Sequence, residues 1–202
     1  MKIKCGLKEN SSAHIYSDNF FRPIVQQTPF KVCLQQKYPT VLHLSFMNKQ
    51  IQTIISNLKV VNSGEPWFGR AVYKILDEVN PETAFIKPNN TTHSLIELLW
   101  HMITWADFTL QRIEKEKIND LAAAEQSDWR VIDPKVHTWK KGVAAFKAIH
   151  KKMIELLKKK DDTFLKEKVD YRKYDFQFLL NGLIQHTIYH LGQLAYLKKL
   201  LS

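Results

Sequence analysis

One stretch near the C-terminus, residues 174–197, most constrains how this chain can fold. Its apolar positions and two histidines recur at three- and four-residue steps, the periodicity of one face of an α-helix; they are Leu179, Leu183, His186, His190 and Leu194. Imidazoles four residues apart on a rigid helix can bind one metal ion. The alternative is a pair of partly buried histidines satisfied by hydrogen bonds, and from this helix alone the two interpretations stand level.

Three earlier stretches show the same periodicity. The predicted helices span about 47–80 with a break at 63–66, about 91–117, about 134–162 and about 174–200. Pro66 is expected to open the second half of the broken helix, Thr91 or Thr92 to cap the second helix, and Pro134 to open the third. A longer connection, 118–133, contains Asp128. Four amphipathic helices with no internal repeat predict an all-α four-helix bundle.

Residues 1–46 differ from the rest of the chain. Prolines interrupt them and no helical stripe persists, so we expect an irregular or disordered N-terminal extension, followed by a bundle domain over residues 47–202. Both cysteines, Cys5 and Cys33, lie in this extension. Two cysteines in an irregular segment make no disulfide framework, and we interpret them as free thiols in a reducing compartment.

Composition excludes some classes of protein. No apolar run approaches the roughly 18 residues that a membrane span needs, and the N-terminus is too polar for a signal peptide. A cytoplasmic protein without a membrane partner is therefore expected. The formal net charge is +10, but Asp161 and Asp162 directly follow the basic run Lys158–Lys160, and no nucleic-acid-binding motif accompanies it. We expect solvated helix surface and no nucleic-acid partner.

A third histidine lies on the inward face of the second predicted helix. Leu98, His101, Trp105 and Phe108 share that face. If this helix neighbours the fourth, three imidazoles can converge, and three protein ligands with an open position are typical of catalytic metal sites. Imidazole binds several divalent ions, with Zn²⁺ and Ni²⁺ favoured here over Fe²⁺ and Mn²⁺. Such an ion lowers the pKa of bound water or holds a thiolate.

Polar residues near these histidines are candidates for supporting roles. Glu97 lies one turn before His101, where it could orient the imidazole or act as a catalytic base. A plain helix-surface carboxylate is an equally good interpretation. Gln185 and Gln193 flank the fourth-helix pair and could accept hydrogen bonds from ligating imidazoles.

The remaining candidates rank lower. His150 lies at the edge of the third stripe, and a boundary residue is the preferred interpretation. His93 is interpreted as a capping or surface residue, and Tyr189 is expected to point away from the stripe. Trp67, Trp105 and Phe108 could wall an apolar pocket. Aromatic residues at helical spacing more often belong to the core, which is the preferred interpretation of Phe108.

Three motifs resemble the DinB/YfiT family of metal-dependent enzymes. They are Thr92–Trp105, the His-x-x-x-His-x-x-Gln segment His186–Gln193, and Pro66–Gly69. The resemblance covers residues 47–202. It implies an up-down-down-up bundle and a metal site formed by His101, His186 and His190. It also implies relatives that include bacillithiol S-transferases and mycothiol-dependent isomerases, often as dimers, although many members have no known reaction.

The function predicted from these features is that of a metal-dependent enzyme, a thiol S-transferase or a hydrolase. Its substrate would be a small molecule, with a low-molecular-weight thiol among the candidates, and a homodimer is expected. The alternative is a non-catalytic metal-binding bundle that acts in stress response or protein interaction. A third and weaker hypothesis is a basic nucleic-acid binder. Fold-level kinship leaves the choice open, because one fold supports many reactions.

Overall fold

The structure, a computed structural model, describes residues 48–90, 93–115 and 121–202. Its helices in these ranges are α1 Lys49–Ser63, α2 Val72–Asp77, α3 Leu95–Glu114, α4 Leu121–Gln126, α5 Trp139–Leu157, α6 Asp162–Lys166 and α7 Phe176–Leu200. Two 3₁₀ turns, Thr83–Phe85 and Pro88–Asn90, lie between α2 and α3. The expected extension at residues 1–46 and the two proposed caps at 91 and 92 lie outside the described residues.

Contacts at the helix ends define how the long helices run. Asp162, just after α5, accepts a hydrogen bond of 2.8 Å from the backbone amide of Ile51 at the start of α1, so these two packed helices are antiparallel. Lys152 near the end of α5 pairs with Glu114 at the end of α3 at 2.7 Å. Helices α3 and α5 are therefore parallel.

The direction of α7 follows from the turn that precedes it. Lys115, directly after α3, pairs with Glu167 at 2.9 Å, and Phe176 at the start of α7 donates its amide to the Glu167 carbonyl at 3.1 Å. Because the end of α3 lies beside the start of α7, these helices are antiparallel. The order is up-down-down-up, and the predicted all-α four-helix bundle is confirmed.

Local capping explains the observed helix bounds. Ser94 caps α3 in a capping box with Glu97, and Lys115 ends the helix in a left-handed conformation, with φ 57°. Helix α2 begins at Val72 rather than at Pro66, because residues 66–69 close a separate turn in which Gly69 adopts φ +122°.

Two further helix starts differ from or refine the prediction. Thr138 caps α5 by accepting from the backbone amide of Lys141, so this helix begins after Thr138 and not at Pro134. Asp175 caps α7 by accepting from the Phe178 amide at 2.9 Å. In both helices a side-chain oxygen outside the apolar stripe determines the first residue.

The core lies between the inward faces of the long helices. Fully buried side chains from three of them include Leu99, Met102, Phe146, Met153, Leu180 and Leu194. A Cβ on Gly142 would lie 2.8 Å from Leu99 Cδ2, so a larger residue where α5 approaches α3 would require the Leu99 side chain to shift. Within the described ranges, no helix is both long and apolar enough to cross a bilayer.

Candidate metal centre

Three histidines meet between α3 and α7. His101 Nε2 lies 2.9 Å from His186 Nε2 and 2.9 Å from His190 Nε2, and the three ligand atoms lie within 4.8 Å of one another. His186 and His190 are one turn apart on α7, whereas His101 reaches them from α3. Antiparallel packing of these helices therefore brings the second and fourth predicted stripes together at the histidines, and the group can bind a metal ion.

The outer nitrogens of two of these imidazoles face oxygen atoms. His190 Nδ1 lies 2.5 Å from Gln193 Oε1, and the Gln193 amide nitrogen donates to the Tyr189 hydroxyl at 3.4 Å. That second bond orients the amide oxygen toward the imidazole. This arrangement favours the His190 tautomer that has its proton on Nδ1 and its Nε2 lone pair directed at the cluster.

Asp128 acts in the same way on His101. Its Oδ1 lies 2.5 Å from His101 Nδ1, although the oxygen lies off the N–H direction, so this is an electrostatic contact rather than an aligned hydrogen bond. The same oxygen accepts from Trp105 Nε1 at 2.7 Å. A carboxylate beside Nδ1 favours the proton there, as in the carboxylate–histidine pairs that orient metal ligands.

These protonation states make the cluster suitable for a cation. With protons on both outer nitrogens, His101 and His190 direct lone pairs at each other across 2.9 Å, an arrangement that is repulsive unless positive charge lies between them. Two nitrogens bound at about 2.1 Å to a tetrahedral ion lie about 3.4 Å apart. If the two Nε2 atoms moved apart by about 0.5 Å, they could therefore bind one such ion.

Burial keeps the imidazoles neutral. It lowers the pKa of His101 to about 4, with further lowering by the neighbouring His190 and His93. The pKa of His186 is likewise lowered to about 4, chiefly by burial, and burial lowers that of His190. Neutral imidazole is the ligand form, so protons compete weakly for this site.

An aromatic stack covers the His101 side of the cluster. The Trp129 indole stacks on the His101 ring with centroids 4.0 Å apart, and the His93 ring stacks on Trp129 at 3.7 Å. Trp129 therefore lies between two imidazoles. His93, interpreted from sequence as a capping or surface residue, belongs to the surroundings of the site.

Comparison with known proteins identifies the family. The sequence profile of the DinB superfamily matches residues 68–194, more than half of the chain. This chain belongs to the DinB superfamily. The match includes both histidine-bearing stretches, and it ends after Gln193. No curated protein matches the chain.

One solved structure shares the DinB fold and corrects one expectation. This chain resembles the colibactin self-resistance protein ClbS in complex with a dsDNA, with a TM-score of 0.51, 21% identity, and coverage of 75% of this chain and 94% of that one. A DinB-like protein in a DNA complex contradicts our exclusion of nucleic acid as a partner. That exclusion relied on missing motifs, but phosphate contacts need only suitably placed basic side chains.

Glu97 has structural contacts within this DinB bundle. Its Oε2 accepts from the Ser94 amide at 2.7 Å and from the Ser94 hydroxyl at 2.9 Å, and its Oε1 pairs with Lys87 at 2.9 Å. These contacts lower the pKa of Glu97, although partial burial opposes them. They cap α3 and attach the preceding turn to it. Catalysis by Glu97 stays a prediction.

Sequence reasoning missed Asp128 and Trp129. Both follow α4 in a connection without periodicity, so nothing local indicated that they contact His101. The residue types alone were a weak signal, a carboxylate and an aromatic ring in a connection between long helices. Of the two flanking glutamines, Gln193 contacts the site, whereas Gln185 is exposed.

Two cavities adjoin this region of the DinB bundle. An apolar one of about 190 Å³ lies next to His186 and is lined by Trp105, Phe108, Thr109, Tyr174, Phe178, Leu179, Gly182, Leu183 and His186. A more polar one of about 410 Å³ lies between α3 and α4 and includes Asp107 and Arg130. Trp105 walls the first cavity, as the sequence suggested. Phe108, assigned to the core, is itself buried but also lines that cavity.

Proposed function

We propose that this protein is a metal-dependent enzyme in which His101, His186 and His190 hold one divalent ion. The observation that carries the proposal is the 2.9 Å approach of the His101 and His190 Nε2 atoms, each imidazole having an oxygen at its outer nitrogen. Bound there, a divalent ion would lower the pKa of a thiol or water at its open position. The reaction class is thiol S-transfer or hydrolysis.

The protein's own groups have defined parts in this proposal. Asp128 and Gln193 hold the protons on the outer nitrogens of His101 and His190, so that the inner nitrogens stay available. Burial raises the pKa of the Asp128 carboxyl, opposed by the Trp105 hydrogen bond and by His186 and His190. Asp128 is assigned the orientation of His101, because its Oδ1 lies beside the outer nitrogen of that imidazole.

The cavity beside His186 supports an apolar substrate. Its walls are mainly aromatic and aliphatic, and burying apolar ligand surface there contributes about 25 cal/mol per Å². A thiolate or hydroxide formed at the histidines would face a substrate whose apolar group lies in this cavity. The proposed substrate is therefore a small electrophile with an apolar part, attacked by a low-molecular-weight thiol or by water.

Metal analysis and activity assays test this proposal. Protein purified without chelator should contain about one divalent ion per chain, and the loaded protein should convert aryl electrophiles in the presence of cysteine or bacillithiol, or hydrolyse aryl esters. His186→Ala should lose metal and activity together, whereas the matched control His150→Leu should keep both. Metal-bound wild-type protein without any such activity would favour non-catalytic metal binding. Wild-type protein that binds no ion would refute the metal site.

Binding of double-stranded DNA is a second candidate, favoured by the charge of α5. This helix carries five lysines and one acidic residue, Glu155. Lys140, Lys141 and Lys151 on it are exposed. Lysines along one helix can neutralise successive phosphates without reading base sequence.

The salt dependence of binding tests this candidate. The Lys140→Glu/Lys151→Glu variant should bind a fluorescent duplex more weakly than wild type in anisotropy titrations, with a salt slope reduced by about 2. The control Lys166→Glu/Lys173→Glu has the same charge change outside α5 and should behave as wild type. If both variants lose affinity equally, net charge rather than the α5 surface is responsible.

A further inference from the structure

The last turn of α3 carries a buried arginine. Arg112 is only 4% exposed, and its Nε and Nη2 atoms are buried without a hydrogen-bond partner among the described residues. Its position near the C-terminus of α3 gives it favourable interaction with the helix carbonyl ends. That interaction is weak beside the loss of solvent by a permanently charged guanidinium, and buried guanidinium groups are normally paired with an anion.

A second arginine lies close to it. Arg172 follows α6, and its Nε is also buried without a partner in the described ranges. Its Nη1 donates to the Tyr171 carbonyl at 2.8 Å, and its backbone amide donates to the Val169 carbonyl at 2.9 Å. The turn therefore holds Arg172 in place by contacts that leave Nε unused.

Both guanidinium groups approach the same aromatic ring. The Arg112 Cζ lies 5.1 Å and the Arg172 Cζ 5.9 Å from the centroid of the Phe108 ring. Cation–π attraction stabilises such cations, but it does not satisfy their N–H donors. Two positively charged guanidinium groups therefore contact the Phe108 ring, and each still has N–H donors without an acceptor.

The charge around the pair is not balanced by a direct contact. Burial lowers the pKa of Arg112, and the nearby positive charge of Arg172 lowers it further, while Asp170, Tyr174 and Tyr171 oppose these effects. Yet within the described part of the chain neither guanidinium makes an ion pair with a carboxylate, Asp170 included. An oxyanion bound between them would supply both the missing charge and the missing acceptors.

Phe108 connects this pair to the apolar cavity beside the histidines. It lines that cavity together with Tyr174 and His186, and Tyr174 also lies near enough to Arg112 to affect its pKa. Neither arginine lines the cavity itself. Phe108 is the shared contact, because it forms part of the cavity wall and both guanidinium groups lie within 6 Å of its ring.

We propose that Arg112 and Arg172 form an oxyanion site that binds the carboxylate of an organic ligand whose apolar part occupies the cavity between Phe108 and His186. That this ligand is the substrate rests on the proposed function; the oxyanion site itself does not. Guanidinium binds carboxylate through two parallel hydrogen bonds. Because the adjoining cavity is apolar, an arylalkyl carboxylate fits better than free phosphate.

Calorimetric titration with a series of ω-phenyl carboxylates, from phenylacetate to 4-phenylbutyrate, tests the site. The best of the series should bind at least about tenfold more tightly than its neutral carboxamide, because only the carboxylate pairs with the guanidinium groups. Arg172→Met and Arg112→Met should each abolish this preference. Arg70→Met is the matched control, because Arg70 is exposed and pairs with Glu78, and it should retain the preference.

A cavity variant separates the two parts of the ligand. A Cβ on Gly182 meets open space, and Gly182 lines the cavity, so Gly182→Leu should fill the space and weaken phenyl carboxylates without affecting inorganic phosphate. Phosphate that binds as tightly as the best carboxylate, and is insensitive to Gly182→Leu, would overturn the carboxylate assignment. Arg112→Met is used only if its circular dichroism matches wild type, and Arg172→Met, in a turn, provides the same test.

The titrations are repeated on His190→Ala, which lacks the complete histidine cluster. A carboxylate preference that persists there supports the oxyanion site whether or not the wild type proves to be an enzyme. Equal binding of carboxylate and carboxamide by the wild type, or a preference that survives in Arg172→Met, would overturn the oxyanion site while leaving the metal site standing.

Discussion

Two buried histidine environments in this bundle differ in what surrounds them. His150 on α5 is 1% exposed; its Nδ1 contacts the Phe146 carbonyl of its own helix at 2.9 Å, and its Nε2 has no partner among the described residues. His101 and His190 are nearly as buried, but each faces an imidazole from the other helix and has an oxygen at its outer nitrogen. In both environments the histidine is buried and lies within a long helix.

The difference shows what converts a core histidine into a candidate ligand. An imidazole whose second nitrogen has no polar group opposite it leaves that nitrogen unsatisfied in apolar surroundings, at a cost of about 1–3 kcal/mol. When a polar residue such as Asp128 or Gln193 lies at the outer nitrogen of an imidazole, it fixes the ring orientation. The inner nitrogen then points at the centre of the histidine cluster. Convergence of several such nitrogens requires a second helix, and here α3 supplies it.

The largest expected effect is a difference in metal affinity between variants of the histidine cluster and a variant of His150. Replacing His101, His186 or His190 by alanine should weaken Zn²⁺ or Ni²⁺ binding by more than about 100-fold, because two imidazoles make a weak site. His150→Leu should bind as wild type does. Calorimetric titration and elemental analysis measure both, and an unchanged affinity in all three alanine variants would make the cluster purely structural.

The second effect concerns proton binding by His150. Burial lowers its pKa to about 4 from about 6.5, so between these values the unfolded chain binds a proton that the folded chain does not. The free energy of unfolding of the metal-free protein should therefore fall as pH drops from about 6.5 to about 4, with about 3 kcal/mol of that loss due to His150.

His150→Leu isolates this contribution, because the depressed pKa values of the cluster histidines remain in both proteins. Urea denaturation at pH 7 and pH 4.5 should show a smaller loss of stability in the variant than in wild type. Equal losses would mean that His150 is protonated as easily in the folded protein as in the unfolded one.

The third effect tests whether Asp128 orients His101 for metal binding. Asp128→Ala should weaken metal binding by about 10–100-fold, as expected for loss of a residue that orients a ligand, and Asp128→Asn should lose less because an acceptor oxygen remains. Competition with a chromogenic chelator measures the affinities. An unaltered affinity for Asp128→Ala would mean that packing alone orients His101.

The smallest effect concerns the aromatic stack. Trp129→Ala removes the ring between His93 and His101, and it should weaken metal binding by only a few fold, because a stacked aromatic pair contributes about 0.5–1.5 kcal/mol. Trp67→Ala is the control, since Trp67 is fully exposed. If Trp129→Ala lost more metal affinity than Asp128→Ala, Trp129 rather than Asp128 would be the more important residue for orienting His101.

Metal binding should also persist to lower pH than free imidazole would allow. Binding by ordinary imidazoles would weaken as pH falls through about 6, where histidine titrates. In the folded protein burial places the pKa values of His101 and His186 near 4, so affinity should change little between pH 7 and about pH 5. A tenfold loss already at pH 6 would show that the histidines titrate as exposed groups.

Much of the fold could be predicted because periodicity is local. The stripe through Leu183, His186 and His190 identifies α7, and the stripe through Leu98 and His101 identifies α3, without any knowledge of packing. Helix starts were less accurate, because a cap depends on one side-chain oxygen: Ser94 and Thr138 begin helices that Thr91, Thr92 and Pro134 were expected to begin.

The sequence by itself determined the helical class, the order of the apolar stripes and the three inward histidines, since each follows from a spacing of three or four residues. Only the tertiary structure decided that α3 lies antiparallel to α7, that Asp128 reaches His101, and that Arg112 is buried beside Arg172. Those contacts join residues far apart in the chain, and no local period encodes which helix faces meet or where a connection between helices places its side chains.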